Sequence, residues 1–187
     1  MGIVLLVGIV VVALWFVGAY NKLISLKNQV ANAWKQIDVQ LKRRHNLIPN
    51  LVNAVKGAMD FEKSTLEAVI AARNKAVSAA GSGVAQVAQA EGQLTQALGR
   101  LFALSENYPQ LKATANIQQL QEELTSTENK VGFARQLYND VATSYNTAQQ
   151  QFPTNLVAGV AKAAPAELWQ IEDAGDRAVP NVDLKMS

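Results

Sequence analysis

The chain concentrates polar side chains in one short stretch, which is the first candidate for a catalytic site. The cluster consists of Asp38, Lys42, Arg43, Arg44 and His45. In a helix His45 lies two turns after Asp38, so a carboxylate and an imidazole share much the same face, as an acid–base pair would. The chain has no other histidine and no cysteine, which leaves no second imidazole and no thiol nucleophile beside the pair. We therefore favour a structural role, in which His45 lies on an apolar stripe and bonds a carbonyl or carboxylate of the next helix.

The three consecutive basic residues of this cluster have two alternative roles. Lys42, Arg43 and Arg44 follow the apolar N-terminal segment at a distance of about 20 residues, or about 30 Å along a straight helix. Contact with anionic lipid would contribute about 1 kcal/mol for each charge near the membrane surface. The distance favours the other role, which is a salt bridge within the bundle or to a protein partner.

The remaining polar candidates indicate packing rather than catalysis. Glu122, Glu123 and Glu128 resemble a carboxylate metal site, but di-iron bundles pair such acids with histidines, and none lies there. We interpret these acids as solvated helix faces. Tyr138 and Tyr145, each followed by Asn, are interpreted as packing residues with polar tips. The sequence thus predicts no catalytic residue, no metal site and no cofactor.

The composition indicates what kind of fold holds these residues. Of 187 residues, 49% are apolar, 6% aromatic and 17% charged, whereas ordinary soluble domains have about 25% charged residues. The uncharged remainder is rich in Ala, Gln, Val, Leu and Asn, which favours an all-α fold over a β-sandwich. A net charge of +2 is too small to indicate a nucleic-acid partner.

An apolar segment at the N-terminus predicts a membrane anchor. Residues 2–20 carry no charge and would form a helix of about 28 Å, close to the roughly 30 Å hydrocarbon core of a bilayer. Trp15, Phe16 and Tyr20 lie at its C-terminal end, where interfacial aromatic residues occur. The alternative is a signal peptide cleaved after Val17-Gly18-Ala19, but the segment lacks a positive n-region and exceeds the usual h-region length. We expect a retained single-pass transmembrane helix.

Basic residues follow this segment and none precedes it. Lys22, Lys27 and Lys35 lie within about 15 residues of its end. The positive-inside rule therefore predicts that the short N-terminus is outside and that the body is cytoplasmic.

Proline and glycine residues divide the rest of the chain into about four helices. Residues 19–48 contain neither, and their apolar spacing predicts an amphipathic helix continuous with the membrane span. Because Pro49 has no N–H for the His45 carbonyl, we expect a kink or a new helix start near residues 45–49. Two further helices, separated by the turn Gly81-Ser82-Gly83, are predicted at about residues 61–80 and 84–106.

The longest helix is predicted at residues 117–152, where the three-and-four spacing of apolar residues is unbroken. Such spacing indicates coiled-coil packing along one seam. Pro109, which follows the third predicted helix, suits the first turn of the next helix. After Pro153 we expect a short turn at residues 156–162 and an irregular tail with contacts from Leu168, Trp169 and Ile171. The predicted organisation is a transmembrane helix at 2–20, an antiparallel bundle at 21–152, and a short helix and tail at 153–187.

Several runs of residues closely resemble the LemA family. They lie at residues 33–52, 106–113, 120–129, 152–155 and 178–184, together with the Tyr-Asn pairs at 138–139 and 145–146. The resemblance implies a bacterial, membrane-anchored, all-helical protein whose antiparallel bundle follows one span. It implies no reaction, since the family has no established biochemical activity. Candidate structural or interaction residues in these runs and in the tail are Pro49, Asn50, Tyr108, Pro109 and Trp169.

We expect a non-enzymatic scaffold at the inner membrane of a bacterial cell, which assembles with itself, organises protein partners, or does both. Ala and Gln predominate on faces where a monomer normally carries Lys and Glu. This pattern predicts a homo-oligomer, with the tail around Trp169 as a contact between protomers. The alternative function is an adaptor or modulator of another membrane machine, such as an envelope protease or a stress system. The expected partners are the lipid bilayer, further copies of the chain and other membrane proteins, without nucleic acid.

Overall fold

The computed structural model describes residues 1–57, 62–112 and 114–170, and the statements below concern these residues. Its regular elements are all helices. They are α1 (Gly2–Lys56), α2 (Lys63–Ser78), α3 (Val84–Ser105), α4 (Pro109–Lys112), α5 (Ala115–Gln150) and α6 (Asn155–Ala158). Within these ranges the predicted all-α fold is confirmed, including the continuity of the apolar N-terminal helix with the first helix of the bundle.

The two longest helices, α1 and α5, form an antiparallel pair. Along α1, successive core clusters group Leu23 with Tyr145, Ile37 with Val131, and Ile48 with Leu124. From one cluster to the next the residue numbers rise on α1 and fall on α5, so the two helices run in opposite directions. The apolar spacing of α5 places more than one of its residues in each cluster, on the face that meets α1.

Helices α2 and α3 form a hairpin that packs against the C-terminal half of α1. Leu66 of α2 and Leu98 of α3 are buried in the same cluster as Ile48. The turn between the two helices contains Gly81 with φ 86° and Gly83 with φ 112°. Residues with a Cβ rarely adopt this part of backbone space, so two glycines are suited to the turn. The predicted turn is confirmed.

Pro49 does not begin a new helix, which corrects one of the two alternatives predicted for residues 45–49. Helix α1 continues through Pro49 to Lys56. Proline leaves the carbonyl four residues earlier without its helical donor. The Nε of Arg73, on α2, donates a hydrogen bond to that carbonyl of His45 at 3.2 Å. A side chain of the neighbouring helix therefore replaces the missing backbone N–H.

The C-terminal part of the described chain departs from the predicted seam. Helix α5 ends at Gln150, and Phe152 is 79% exposed rather than packed at the end of the seam. After α6, residues 163–170 follow a non-helical path and end in the buried Trp169. Trp169 packs in a cluster with α1 and α5 of its own chain, and its contact between protomers stays a prediction. The other predicted tail contact, Ile171, lies outside the described residues.

Candidate functional site

A buried carboxylate, Glu91, joins α3 to α1. It lies on the apolar stripe of α3 between Val87 and Leu94 and is 1% exposed. Its Oε2 accepts a hydrogen bond from Nη1 of Arg44 at 3.1 Å, and its Oε1 is 2.6 Å from Nε2 of His45. A buried charge requires such partners. One acid on α3 thus holds two consecutive side chains of α1.

The guanidinium of Arg44 extends this charge network to α5. Its Nη2 donates to Oγ1 of Thr95 at 2.9 Å and lies 2.8 Å from Oε2 of Glu128. The Nη2 of Arg135 is 3.6 Å from the other oxygen of Glu128. The planar fork of arginine is suited to contacting several acceptors at once. The charges of Arg44, Arg135, Glu91 and Glu128 balance, so the charge network connects α1, α3 and α5 without net charge from these four groups.

Arg135 occupies the end of the charge network nearest the C-terminal residues. Desolvation by burial lowers the pKa of its guanidinium, and the Glu128 carboxylate opposes that shift. The guanidinium carbon also lies 5.0 Å from the centre of the Trp169 ring, within the range of a cation–π interaction. Arg135 therefore contacts both the charge network and the tail.

The charge network contains the residue types of an acid–base site, but its contacts are those of a helix connection. Arg44, His45 and Glu91 are all buried, and each is paired. A cleft of about 180 Å³ is lined by His45 with Asp38, Lys42 and other residues. Within the described ranges no group of three or more His, Asp or Glu side chains could hold a metal ion. What this arrangement does chemically is neutralise buried charge between three helices.

The other residues of the predicted polar cluster lie at the surface. The Nζ of Lys42 donates to Oδ2 of Asp38 at 2.6 Å, and both side chains are exposed. The carboxylate bonded to His45 is that of Glu91, not that of Asp38. Three more candidates are exposed: Arg43, Pro49 and Asn50.

Tyr108 and Pro109 lie where the chain passes from α3 to α4. The hydroxyl of Tyr108 donates to Oε1 of Glu62 at 3.1 Å. Desolvation and this hydrogen bond raise the pKa of Tyr108. Pro109 is the first residue of α4, as predicted, where a missing N–H breaks no helical hydrogen bond.

A second polar site holds residues 163–170, hereafter the C-terminal segment, against α5. The side chain of Asn146 accepts a hydrogen bond from the N–H of Ala166 at 2.7 Å and donates to its carbonyl at 2.8 Å. Asn139 makes the same two bonds to Trp169, at 2.8 and 3.0 Å. Each amide thus satisfies both backbone groups of one residue, as a neighbouring β-strand would.

The spacing of the two asparagines matches that of the residues they bind. Asn139 and Asn146 are seven residues apart, which is about 10.5 Å along a helix. Ala166 and Trp169 are three residues apart, which is about 10 Å in an extended chain. Both pairs are therefore in register, and the C-terminal segment runs antiparallel to α5.

Aromatic rings complete the groove between α1 and α5 that contains the C-terminal segment. The hydroxyl of Tyr138 donates to the carbonyl of Glu167 at 2.6 Å. Its ring packs edge to face on Trp34 at 5.4 Å, and Trp34 lies 6.0 Å from the Trp169 ring. Burial raises the pKa of Tyr138, with a further contribution from the Glu167 carboxylate, and burial also raises that of Tyr145. Both phenols therefore keep their protons more firmly than in water.

An exposed apolar patch lies on another side of the α1–α5 pair. Val39, Phe133 and Leu137 are 60%, 72% and 44% exposed. They line a cleft of about 460 Å³, whose charged lining residues are Lys35 and Lys130. Apolar side chains bordered by positive charge are typical of a surface that contacts a partner.

Sequence reasoning missed Glu91, Arg135 and the two asparagines, and it misjudged Glu128. Glu128 was predicted to lie on a solvated face, but its half-buried carboxylate pairs with Arg44 because that cation faces α5 in the core. The sequence does contain a signal for Glu91, because this acid occupies a position in α3 where the helical repeat of apolar residues predicts a buried side chain. The signal for the asparagines is the repetition of Tyr-Asn after seven residues.

Comparisons with known proteins identify relatives of this chain. A model of the LemA family matches residues 33–184. Magnetosome protein MamQ 2 of Paramagnetospirillum magneticum is 25% identical over 181 residues, which cover 84% of this chain and 66% of that protein. Protein LemA of Metamycoplasma hominis is 29% identical over 143 residues, which cover 76% of this chain and 65% of that protein. The match therefore spans just under two thirds of the length of these relatives.

Proposed function

The chain belongs to the LemA family, and we propose that it is a non-enzymatic scaffold, anchored in a bacterial cell membrane, that assembles with itself and organises protein partners there. The observation that carries this proposal is the continuity of α1. One helix runs from an exposed apolar segment at residues 2–20 into the core, where residues such as Ile37 and Ile48 are fully buried. A continuous helix fixes the bundle relative to whatever surrounds its apolar end.

The exposed apolar part of α1 supports insertion into a membrane. In the described part of the chain, α1 is the one helix long and apolar enough to cross a bilayer, and its most apolar stretch is not buried. Side chains such as Ile3 and Leu14 point away from the protein. A contiguous apolar surface of this extent is stable in lipid and not in water.

The charge network supports a structural rather than a catalytic role. A general acid or base must reach a proton of the substrate. Glu91 instead has both carboxylate oxygens occupied by side chains of α1. These contacts hold helices together and leave neither oxygen of this acid without a partner.

The exposed face of α3 supports assembly with further copies. Neutral side chains line it: Ala85, Gln86, Gln89, Gln93 and Gln96 are exposed. Ala90 of the same helix is buried and Ala97 is half-buried, because both face the core of the hairpin. Over residues 85–96, where the one charged side chain is the buried Glu91, a contact between two such faces brings no like charges together, and glutamine amides can hydrogen-bond across it.

A second candidate function, an adaptor for another membrane protein, is favoured by the apolar patch. Val39, Phe133 and Leu137 are exposed, and Lys35 and Lys130 border them. Two copies meeting through this patch would bring these lysines together, which is unfavourable. A partner with acidic groups around an apolar surface fits the patch better.

Light scattering of the full chain in mild detergent distinguishes these functions. The scaffold proposal predicts a protein mass that is a multiple of 20.2 kDa over a hundredfold range of concentration. A mass of one chain throughout that range contradicts the scaffold proposal. A single chain that forms a defined particle only with another membrane protein supports the adaptor.

A pair of matched variants locates the contact between copies. Gln89→Arg with Gln93→Arg adds two positive charges one helical turn apart on the exposed face of α3, and we expect a smaller particle. Thr125→Arg with Asn129→Arg adds the same charges at the same spacing on an exposed part of α5. Equal particle masses for the parent and both double variants would show that α3 does not form the contact between copies.

The proposed orientation places the body in the cytoplasm. Since the chain has no cysteine, Ser126→Cys introduces a unique thiol on an exposed turn of α5. We expect this thiol to resist a membrane-impermeant reagent in cells whose outer membrane is permeabilised, and to react after lysis. Labelling before lysis would show that the body lies on the outer side of the membrane, which would contradict the proposed orientation.

A further inference from the structure

We infer that the groove between α1 and α5 is a binding site for an extended peptide, and that in the assembled protein its ligand is the C-terminal segment of a neighbouring copy. The inference rests on the proposed self-assembly and adds a specific contact to it. In the single chain the groove holds the chain's own residues 163–170. Exchange of this segment would connect each copy to the next.

The groove recognises its ligand mainly through the peptide backbone. Asn139 and Asn146 bond the N–H and carbonyl of Trp169 and Ala166, and the Tyr138 hydroxyl bonds a carbonyl between them. The side chain of Glu167 accepts a bond from the N–H of Val84 at 3.1 Å. None of these bonds involves residues 151–162, which connect α5 to the C-terminal segment. The groove would therefore bind the same segment equally well from its own chain or from another.

The residue immediately before the C-terminal segment is strained. Lys162 has φ 46°, a left-handed conformation that is unfavourable for a residue with a Cβ. A backbone bond from the N–H of Ala163 to the carbonyl of Ala158, at 3.0 Å, closes the turn around it. A short strained hinge favours exchange of the element that follows, because exchange relieves the hinge and keeps the other contacts.

The membrane anchor places neighbouring grooves where exchange is possible. Tyr145, next to the binding residue Asn146, lies in one cluster with Leu23 and Phe16 of α1. The groove thus begins close to the apolar end of α1, at a fixed distance from it. Copies inserted into the membrane with the same topology would have their grooves at the same distance from the membrane surface and in the same orientation relative to it. Confinement to one membrane also raises the effective concentration of each C-terminal segment at its neighbour's groove.

Disulfide formation between differently tagged chains tests the exchange. One chain carries Asn146→Cys and the other Ala166→Cys, because these residues are joined by two hydrogen bonds and the chain has no other thiol. Asn139 remains in both chains to hold the C-terminal segment. After co-expression and mild oxidation in the membrane, we expect a disulfide between the two tagged chains.

A distance control and a double variant complete the design. Ser126→Cys replaces Asn146→Cys in the control, because position 126 is about 30 Å farther along α5, and no disulfide is expected. A single chain carrying both Asn146→Cys and Ala166→Cys reports whether the C-terminal segment is docked at all. Absence of a disulfide in that chain, within or between copies, would contradict the binding site itself.

The outcomes separate this inference from the proposed function. If the parent particle contains several chains, and the double variant forms only disulfides within a chain, exchange is wrong and self-assembly stands. If the parent particle contains one chain, both are wrong. Lys162→Gly removes the hinge strain, so we expect the disulfide between tagged chains to fall about fivefold. An unchanged yield would contradict the role of the hinge.

Discussion

Glu91→Gln is the most direct perturbation of the charge network, since it removes one charge and changes the side-chain volume little. Removing one partner of a buried ion pair costs about 3–5 kcal/mol, because the other charge remains buried. Arg44 would keep its contacts to Glu128 and Thr95, at 2.8 and 2.9 Å. We therefore expect Glu91→Gln to lower the free energy of unfolding by the lower end of the range, about 3 kcal/mol. The contact with His45 is weakened as well.

Thermal unfolding followed by circular dichroism in detergent measures this loss. For a domain of this size, 1 kcal/mol lowers the unfolding midpoint by about 2–4 °C. Glu91→Gln should accordingly lower it by about 6–12 °C. Asp38→Asn is the matched control, because it removes a carboxylate charge from an ion pair whose side chains are 69% and 40% exposed, Lys42 and Asp38 respectively. An exposed pair of this spacing contributes about 0.2–0.5 kcal/mol, so the control should shift by no more than about 2 °C.

Two results would contradict a stabilising role for the buried Glu91 carboxylate. One is a midpoint for Glu91→Gln within about 2 °C of the parent, which would mean that the buried carboxylate contributes no more than a surface pair. The other is an equal shift for Glu91→Gln and Asp38→Asn, which would mean that burial does not distinguish the two acids.

Three other variants have defined outcomes. His45→Gln loses a hydrogen bond worth about 1–2 kcal/mol, so the midpoint should fall by about 2–8 °C with unchanged particle mass; a changed mass would contradict a purely internal role. Burial raises the pKa of Tyr138 above 10.0, so its neutral hydroxyl stabilises the fold below pH 10 and this stability is lost as the pH rises through the raised pKa. Tyr138→Phe should therefore be less stable by about 1 kcal/mol at pH 8 but lose less stability than the parent in a melting series above about pH 10. Asn139→Asp with Asn146→Asp removes two donors, so trypsin should cut after Lys162 at least about tenfold faster; a parental rate would show that these amides do not hold the C-terminal segment.

Periodicity alone was sufficient to predict the long helices, because burial of one face repeats at helical spacing. The third helix, predicted at residues 84–106, is observed as Val84–Ser105. The C-terminal end of α5 was less predictable. The sequence marks the end at Pro153, but Gln151 already has an extended backbone with ψ 134°. Apolar Phe152 fits the spacing and yet follows the last helical turn, so its side chain is exposed.

Partners between helices could not be predicted in the same way, because a pattern within one helix does not identify what faces it. The sequence showed that Pro49 deprives the His45 carbonyl of a donor. It did not show that Arg73 of α2 would supply another. Likewise, Glu128 is polar and lies beside the seam of α5, which fits a solvated position. Only the approach of Arg44 makes it a partly buried ion-pair partner.

His45 shows how one turn of α1 determines the arrangement of the other helices. Its imidazole contacts Glu91 of α3, and its carbonyl accepts a hydrogen bond from Arg73 of α2. That carbonyl is available to a side chain because Pro49, four residues later, has no N–H. The preceding residue, Arg44, reaches α5 through Glu128. A proline that sequence reasoning treats as a possible break thus provides an acceptor that attaches α2 to α1, and the same turn attaches α3 and α5. Because α1 is also the helix with the exposed apolar end, these contacts connect the bundle to its proposed anchor through an uninterrupted helix.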